Sequence, residues 1–427
     1  MYSPRVIWKS SSVLFLVALF SLFFGTDTRA EEQVSWNEYL GVSGSLRLAG
    51  WQKDKSFSSN KGYLLGSVWA QARPKEFLGI KTFFDGRVQG SNLTRSSYSS
   101  ADLREGFAET SLGSLDLKVG RQILVWGRAD KVNPTDSFSV KNFELLTTDD
   151  EDQRTGLFTT QVAWNQGNFR WIGLWQPEWR APIYPVAPLP AGITLQNGKP
   201  KGAAEQFGLK LDYSGGEIDG AISYAQVIDR NPDLKVISSS GGTTQLEFNY
   251  RKIEVYGLDF AKSLGDYGLR GEAAYTRTKD SKGEDRLTKN SYIFSVLGVD
   301  RTFFGDLNLN VQYIYRHTFN WRSSDEVADA NQRYLARQIE ILANQKIRNF
   351  HAASTRVGYK MFHETLEAEL ALVGWFNNGL IRPKITYSFS DQWRGILGAE
   401  FYAGDNESFF GRLKQVSSVF LEARYLF

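Results

Sequence analysis

Apolar and polar residues alternate along many short stretches of the chain. Between Leu307 and Tyr315 every odd position is apolar, and the even positions include Asn308, Asn310 and Gln312. Successive side chains of an extended strand point to opposite faces, so this period of two predicts a strand with one apolar and one polar face. About eighteen such segments follow one another, which predicts an all-β fold.

The connections between these segments alternate in length. Tight links near residues 113–114, 165–168 and 214–216 alternate with mostly longer ones, including 126–156, 177–203 and 319–348. A soluble sandwich gives no reason for this order, whereas a membrane barrel has short turns at one end and long loops at the other. We therefore predict a transmembrane antiparallel up-and-down β-barrel of about 16–18 strands, with both termini at the periplasmic, short-turn end.

The last segment, residues 417–427, favours a closed sheet. Val419, Leu421 and Tyr425 share one face with the terminal residue Phe427. Because unpaired backbone groups cannot face lipid, the last strand must pair with the first, which we expect near residues 40–51. The terminal phenylalanine also resembles the signal that Gram-negative outer-membrane proteins present to the barrel-assembly machinery. That resemblance implies the machinery as a partner during insertion.

The beginning of the chain predicts export. Arg5 and Lys9 precede an apolar run over residues 13–24, and Thr28 and Ala30 supply small residues before a cleavage point. This order resembles a secretory signal peptide. The apolar run is shorter than the ~20 residues that a spanning helix needs. We predict a signal peptide at residues 1–30 and a single outer-membrane barrel domain at residues 31–427.

Composition excludes several classes of function. The chain has no cysteine, so it has no disulfide framework and no thiolate metal site. Its net charge of +3 gives no electrostatic argument for nucleic acid. Catalysis would need a nucleophile beside a histidine base, but His351 and Ser354 lie three residues apart and would face opposite sides of a strand. We expect neither an enzyme nor a cofactor.

The stretch from Val119 to Gly156 is the most informative for function. It begins as a strand and then loses the alternation for some thirty residues, a length that usually marks a functional loop. It occupies the third long-loop slot and resembles the third external loop of general porins, which folds into the barrel and narrows it. Residues 120–136, GRQILVWGRADKVNPTD, are also similar to a motif in porin-like families that include alginate-export-type barrels. These resemblances imply a narrowed channel.

The candidate constriction-loop residues are charged or aromatic. We predict this role for Arg121, Trp126, Arg128, Asp130, Asp136, Asp149, Asp150 and Arg154, with Trp126 and Phe143 as apolar anchors. The acidic run at residues 149–152 could bind calcium through its carboxylates, but it lacks the spacing of an EF-hand loop. Alternatively, Arg121 and Arg128 pair with these carboxylates and fix the loop across the pore. No metal site is predicted.

The alternation also predicts which charges line the pore. The candidates are Arg356, Lys360, Glu367, Glu369, Arg382, Lys384, Arg394, Glu400, Glu422 and Arg424. Four of these cations, Arg382, Lys384, Arg394 and Arg424, fall on three neighbouring strands, and such a ring would favour anions. Glu367 and Glu369 lie close by, so an interior that is simply polar is the alternative.

One long connection raises a question of secondary structure. Val327, Leu335, Ile339 and Leu342 fall loosely on one side of a helix over residues 325–345. The weak amphipathic pattern favours a solvated external loop over a helix.

These observations predict a passive channel for small hydrophilic solutes, with anions favoured by the cationic wall, in the outer membrane of a Gram-negative bacterium. The alternative is a scaffold or polysaccharide-export barrel that works with a periplasmic partner. Expected partners are outer-membrane lipid, lipopolysaccharide and the transported solute, and no nucleic acid. The sequence leaves both the solute and the choice between monomer and homo-oligomer open.

Overall fold

The computed structural model describes residues 39–53, 61–91, 98–184, 189, 191–200, 202, 204–375 and 377–427. The predicted signal peptide at residues 1–30 lies outside this range. Within the described residues, no helix is long and apolar enough to span a membrane.

The described residues form 23 strands, and two α-helices lie wholly within them. The strands are β1 (Val42–Gln52), β2 (Gly62–Ala72), β3 (Ile80–Ser91), β4 (Tyr98–Leu112), β5 (Leu115–Gln122), β6 (Val140–Lys141), β7 (Arg154–Thr155), β8 (Leu157–Gln166), β9 (Phe169–Gln176), β10 (Ile193–Asn197), β11 (Gln206–Tyr213), β12 (Asp219–Ile228), β13 (Asp233–Ser240), β14 (Thr243–Asn249), β15 (Lys252–Leu264), β16 (Tyr267–Arg277), β17 (Tyr292–Phe303), β18 (Leu307–Thr318), β19 (Asn349–Met361), β20 (Leu366–Trp375), β21 (Asn378–Ser388), β22 (Trp393–Ala403) and β23 (Ser418–Leu426). The helices are α1 (Ala330–Leu342) and α2 (Phe409–Arg412).

Eighteen of the strands form one closed antiparallel barrel, all except β6, β7, β10, β13 and β14. Each barrel strand pairs with the next barrel strand along the chain, and β23 pairs with β1, with Leu426 opposite Ser45 and Val419 opposite Gln52. Closure leaves no strand edge to face lipid. The predicted fold class and the predicted pairing of the last strand with the first are therefore confirmed, and the number of strands is 18.

The barrel has two chemically different faces. One face carries exposed apolar side chains such as Ile222, Leu297 and Leu421, the last of them 61% exposed. The other face carries polar and charged side chains, and Glu422, the neighbour of Leu421, is only 4% exposed. We call these the apolar face and the polar face. Such extensive exposed apolar surface is stable against lipid rather than water, so the apolar face is the exterior.

Short turns and long connections alternate around the barrel, as the sequence predicts. Gly113, Gly167 and Gly265 lie in tight turns and have φ of +62°, +58° and +59°. Residues with a Cβ rarely adopt this conformation, so glycine allows these turns to reverse within two residues. The longest connections, at the other end, follow β5, β9, β12 and β18.

The long connections contain structure of their own. Strands β13 and β14 form a hairpin, and β10 pairs with β14 in parallel. Asp329 caps the N-terminus of helix α1, because its side chain accepts a hydrogen bond from the backbone of Gln332, 2.8 Å away. The favoured prediction of a solvated loop at residues 325–345 is thus wrong. Ile339 packs in a cluster with Leu234 and other apolar residues, so a partner remote in sequence stabilises the helix.

Candidate channel constriction

The connection between β5 and β8, residues 123–156, is the main candidate site, and we call it the β5–β8 segment. It contains β6 and β7, which pair with each other, and a 3₁₀ turn at Asp150–Gln153. Several of its side chains are almost fully buried, including Phe138 and Thr148. Buried polar groups need hydrogen-bond partners. Many of these partners are supplied by the polar face of the barrel.

The first half of the segment, residues 123–140, is held by apolar packing. The rings of Trp126 and Phe138 meet edge to face, with centroids 4.9 Å apart. Both belong to a buried cluster with barrel residues Leu174, Ala225, Val227, Ile253, Val255 and Ala274. Gly208 in β11 makes room for them, because a Cβ there would lie 2.6 Å from Phe138 and 2.7 Å from Trp126. The barrel wall is therefore shaped to receive this half.

A single buried carboxylate, Glu272 in β16, also holds the first half. It accepts hydrogen bonds from the backbone of Arg128 (3.1 Å), Ala129 (3.1 Å) and Thr135 (2.6 Å), and from the Thr135 hydroxyl (2.8 Å). Gly127 is required beside it, because its φ is +98° and a Cβ would lie 2.2 Å from the carboxylate. Glu272 was not among the candidates selected from the sequence, although its place on the polar face of an alternating strand could have identified it as a residue of the barrel interior.

The arginines proposed to fix the acidic run have other partners. Arg128 pairs with Asp212 (3.3 Å) and Asp259 (3.1 Å). Arg121 pairs with Glu178 (3.3 Å), and its position in β5 puts it on the same face as the exposed Leu117. The suggested pairing of Arg121 and Arg128 with the acidic run is therefore wrong. The acidic run instead contacts barrel strands near both ends of the chain.

The second half of the segment, residues 141–156, is held largely by charge. Arg382 in β21 donates to the backbone carbonyls of Thr147 (3.4 Å) and Thr148 (3.1 Å), and it pairs with Asp150. Arg382 is almost fully buried. Both terminal nitrogens of its guanidinium therefore contact residues 147–150.

Asp149 lies between two further cations. Its carboxylate is 3.4 Å from Lys384 Nζ and 3.0 Å from Arg424 Nη2. Arg424 also donates to the hydroxyl of Thr148 (2.8 Å) and pairs with Glu422 (2.6 Å). Burial opposes ionisation of Asp149, but the charges of Arg424 and Lys384 outweigh it and lower the pKa of this carboxyl below its ordinary value.

Three arginines that the sequence analysis did not select also contact the acidic run. Arg47 pairs with Asp152 (2.6 Å). Arg87 donates to the backbone carbonyl of Asp152 (2.6 Å), and Arg104 donates to that of Glu151 (3.1 Å). The three guanidinium carbons lie 4.0, 5.1 and 5.3 Å from the ring centroid of one tryptophan, Trp69. Stacking on this ring orients the arginines towards the segment.

The segment is also cross-linked within itself. Arg154 pairs with Asp136 (2.7 Å) and with Glu151 (2.7 Å). Burial raises the pKa of Asp136, although Arg154 opposes the shift. Phe143 does not join Trp126, because it stacks on Tyr184 of the next long connection, with ring centroids 5.3 Å apart.

The remaining predicted residues lie on β19, β20 and β22. Arg356 is 3.5 Å from Asp130 of the segment and 3.6 Å from Glu369. Glu400 is 3.2 Å from Arg382, Lys360 pairs with Glu364 (3.1 Å) and Glu367 lies opposite Lys360 in the sheet. Arg394 is exposed and has no ion pair within the described residues. Within the residues that the structure describes, no group of three or more acidic or histidine side chains could hold a metal ion.

Three solved structures are among those similar to this chain. Pseudomonas aeruginosa OccK5 (OpdH) matches with a TM-score of 0.50 and 9% identity, covering 91% of this chain and 98% of that one. P. aeruginosa OccK11 (OpdR) gives 0.49 and 9%, covering 90% and 95%. Salmonella typhi OmpF in complex with daunomycin gives 0.45 and 10%, covering 90% and 97%. No curated protein matches the sequence.

A closed 18-stranded barrel with a lipid-compatible exterior and a polar interior is a transmembrane β-barrel of the kind found in Gram-negative outer membranes. Within that class, the chain belongs to the DUF1302 family of proteins of unknown function, whose model matches residues 150–388. The match begins inside the acidic run of the β5–β8 segment. It also includes Glu272, Arg382 and Lys384.

Proposed function

We propose that this protein is a passive outer-membrane channel for small hydrophilic solutes, and that the β5–β8 segment lies in its lumen and narrows it. The observation that carries the proposal is the set of barrel strands that the segment touches. Its ion pairs and hydrogen bonds reach β1, β3, β4, β11, β15, β16, β19, β21 and β23. A segment outside the barrel would not reach all of these polar-face positions.

The depth of the contacts supports the same proposal. Glu272 lies at the middle of β16, five residues from either end, and Lys384 lies near the middle of β21. A loop confined to the rim would touch only strand ends. Irregular backbone is allowed inside a barrel because it lines a water-filled cavity rather than lipid. An 18-stranded barrel is otherwise wide enough to leave an aqueous channel, so the segment would set its effective diameter.

Ion preference follows from the charges that remain available. Of the four wall cations predicted to favour anions, Arg382, Lys384 and Arg424 face carboxylates of the segment. Arg394 is exposed. We therefore propose only a weak preference for anions while the segment is in place, because paired charges contribute little net field.

We also propose that the barrel is not an enzyme. His351 contacts the Tyr313 hydroxyl, 2.5 Å from its Nδ1, on the apolar face. Ser354 lies three residues further along β19 and therefore on the polar face. The pair cannot meet as nucleophile and base.

Removal of the segment tests the constriction. Replacing Lys131 to Asp150 by a short Gly/Ser linker should raise single-channel conductance and admit larger solutes, because the wide barrel is then unobstructed. Removing Asp325 to Asn344, a stretch of equal length in the connection that holds α1, should leave conductance nearly unchanged. Unchanged conductance in the first variant would contradict the constriction and favour the scaffold or export alternative.

In this proposal, barrel assembly depends on the pairing of Phe427 with β1. The backbone of Phe427 exchanges two hydrogen bonds with Gly44 of β1, at 2.9 and 3.1 Å. Deleting Phe427 should therefore reduce the amount of barrel in the membrane, measured by heat-modifiable migration. Phe389→Ala removes an exposed aromatic ring that is not in the last strand and serves as the control. Equal migration of the deletion and the control would argue against a role of Phe427 in barrel assembly.

A further inference from the structure

Four cations of the barrel wall direct hydrogen-bond donors towards one short stretch of the β5–β8 segment. They are Arg47 on β1, Arg382 and Lys384 on β21, and Arg424 on β23. These strands are close neighbours because β23 closes the barrel against β1. The donors converge on residues 147–152.

Each cation also contacts another residue of the barrel strands. Arg382 lies 3.2 Å from Glu400, and Arg424 lies 2.6 Å from Glu422. Lys384 lies 4.0 Å from Glu369, and Arg47 donates to the Ser45 hydroxyl at 2.9 Å. These contacts position the side chains without using all of their N–H donors. Each of these cations therefore has a contact on the barrel that does not involve the segment.

In the structure, carboxylates and backbone carbonyls of residues 147–152 occupy this position. Asp149, Asp150 and Asp152 each pair with a wall cation, and the backbone carbonyls of Thr147 and Thr148 accept hydrogen bonds from Nη2 of Arg382. Guanidinium groups bind planar carboxylates and phosphates with paired N–H donors, and an ammonium group binds them as a point charge. The geometry is that of a receptor for a multiply charged oxyanion.

We propose that Arg47, Arg382, Lys384 and Arg424 form a binding site for small solutes that carry two or more carboxylate or phosphate groups, and that the acidic run occupies this site as a tethered competitor. This inference rests on the proposed channel function, because such a solute must enter the lumen to reach the wall. A passing oxyanion exchanges one set of carboxylate contacts for an equivalent set. The exchange therefore leaves no wall cation unpaired.

The asymmetry of burial favours such an exchange. The side chains of Arg382 and Arg424 are only 7% and 11% exposed, whereas those of Asp150 and Asp149 are 40% and 36% exposed. The arginines are therefore buried in the barrel wall, whereas the aspartates of the acidic run remain accessible to solvent. The first half of the segment remains anchored through Trp126 and Glu272 when the acidic run leaves.

Binding of inorganic pyrophosphate tests the site. The purified protein in detergent at low ionic strength is compared with D149N/D150N, which removes two charges of the tethered competitor. A tethered group acts at an effective concentration in the millimolar range, so its neutralisation should tighten pyrophosphate binding about tenfold by calorimetry. D219N/D391N makes the same chemical change at two exposed aspartates without described ion pairs, and it should bind like the wild type. Equal affinity of D149N/D150N and the wild type would overturn the proposal.

A second pair of variants locates the site on the wall. In the D149N/D150N background, K384Q and R424Q should each weaken pyrophosphate binding about tenfold or more, because each removes one converging cation. Heat-modifiable migration confirms assembly, and K384Q suffices if R424Q does not assemble. Unaltered binding in an assembled wall variant would refute the site. Binding does not require ion flow, so a bound but non-conducting protein would refute the channel and leave the site intact.

Discussion

The two halves of the β5–β8 segment are attached to the same barrel by different chemistry. The first half is anchored mainly by the apolar packing of Trp126 and Phe138 and by hydrogen bonds to Glu272, and Arg128 adds ion pairs with Asp212 and Asp259. The second half is held by ion pairs of Asp149 and Asp150 with wall cations. Apolar burial does not depend on the ionisation of side chains or on charge screening, whereas ion pairs weaken in acid and at high ionic strength. The comparison distinguishes a fixed anchor from an attachment that responds to solution conditions.

The largest expected effect comes from removing the apolar anchor. Trp126→Ala should destabilise the attachment of the first half by about 3–5 kcal/mol, because it leaves a cavity between the segment and the wall. Hydrogen exchange of residues 123–140 should accelerate while the barrel strands stay protected. Phe143→Ala, which removes a partly exposed ring outside this cluster, is the control and should change little. Equal acceleration in both variants would remove the distinction between the halves.

Loss of the buried carboxylate should have the next largest effect. Glu272→Ala leaves three backbone N–H groups and one hydroxyl without their acceptor, at a cost of about 1–3 kcal/mol. Glu272→Gln keeps one acceptor oxygen and should cost less. Hydrogen exchange of residues 127–136 provides the measurement. Unchanged protection in Glu272→Ala would show that packing alone holds the first half.

Acid should act on the second half selectively. The pKa of Asp149 lies below its ordinary value of 3.8, so its stabilising contribution is complete above that value and is lost as the pH falls through the lower pKa of the folded protein. Spin labels at Glu144→Cys and Val125→Cys report on the two halves, since the chain has no other cysteine. The label at position 144 should become mobile in acid before the label at position 125. The opposite order would contradict the assignment.

Salt should have the smallest effect. Raising the ionic strength from about 0.01 M to 1 M shortens the screening length from about 30 Å to 3 Å, which weakens exposed ion pairs more than buried ones. The pair that holds Asp150 is partly exposed, so the label at position 144 should gain some mobility at neutral pH. A larger gain at position 125 than at position 144 would mean that charge, rather than packing, holds the first half.

Much of the architecture follows from local patterns in the chain. The two-residue alternation predicts the strands, and the order of short and long connections predicts an up-and-down barrel. Closure of β23 on β1 follows because lipid tolerates no open sheet edge. The position of the β5–β8 segment is equally readable, since alternation stops after Leu124 and resumes at Leu157. These properties depend on neighbours in sequence or on the solvent.

The partners of the segment were not accessible to such reasoning. Glu272 lies more than 130 residues from Thr135, and Arg382 lies more than 230 residues from Thr148. Arg121 and Arg128 were expected to meet the acidic run because they are near it in sequence, yet they bind Glu178, Asp212 and Asp259. Helix α1 was likewise missed, since its stabilising contacts with Leu234 and Phe248 come from another connection. Alternation tells which face a side chain occupies, but contacts across the barrel depend on how its closure brings distant strands together.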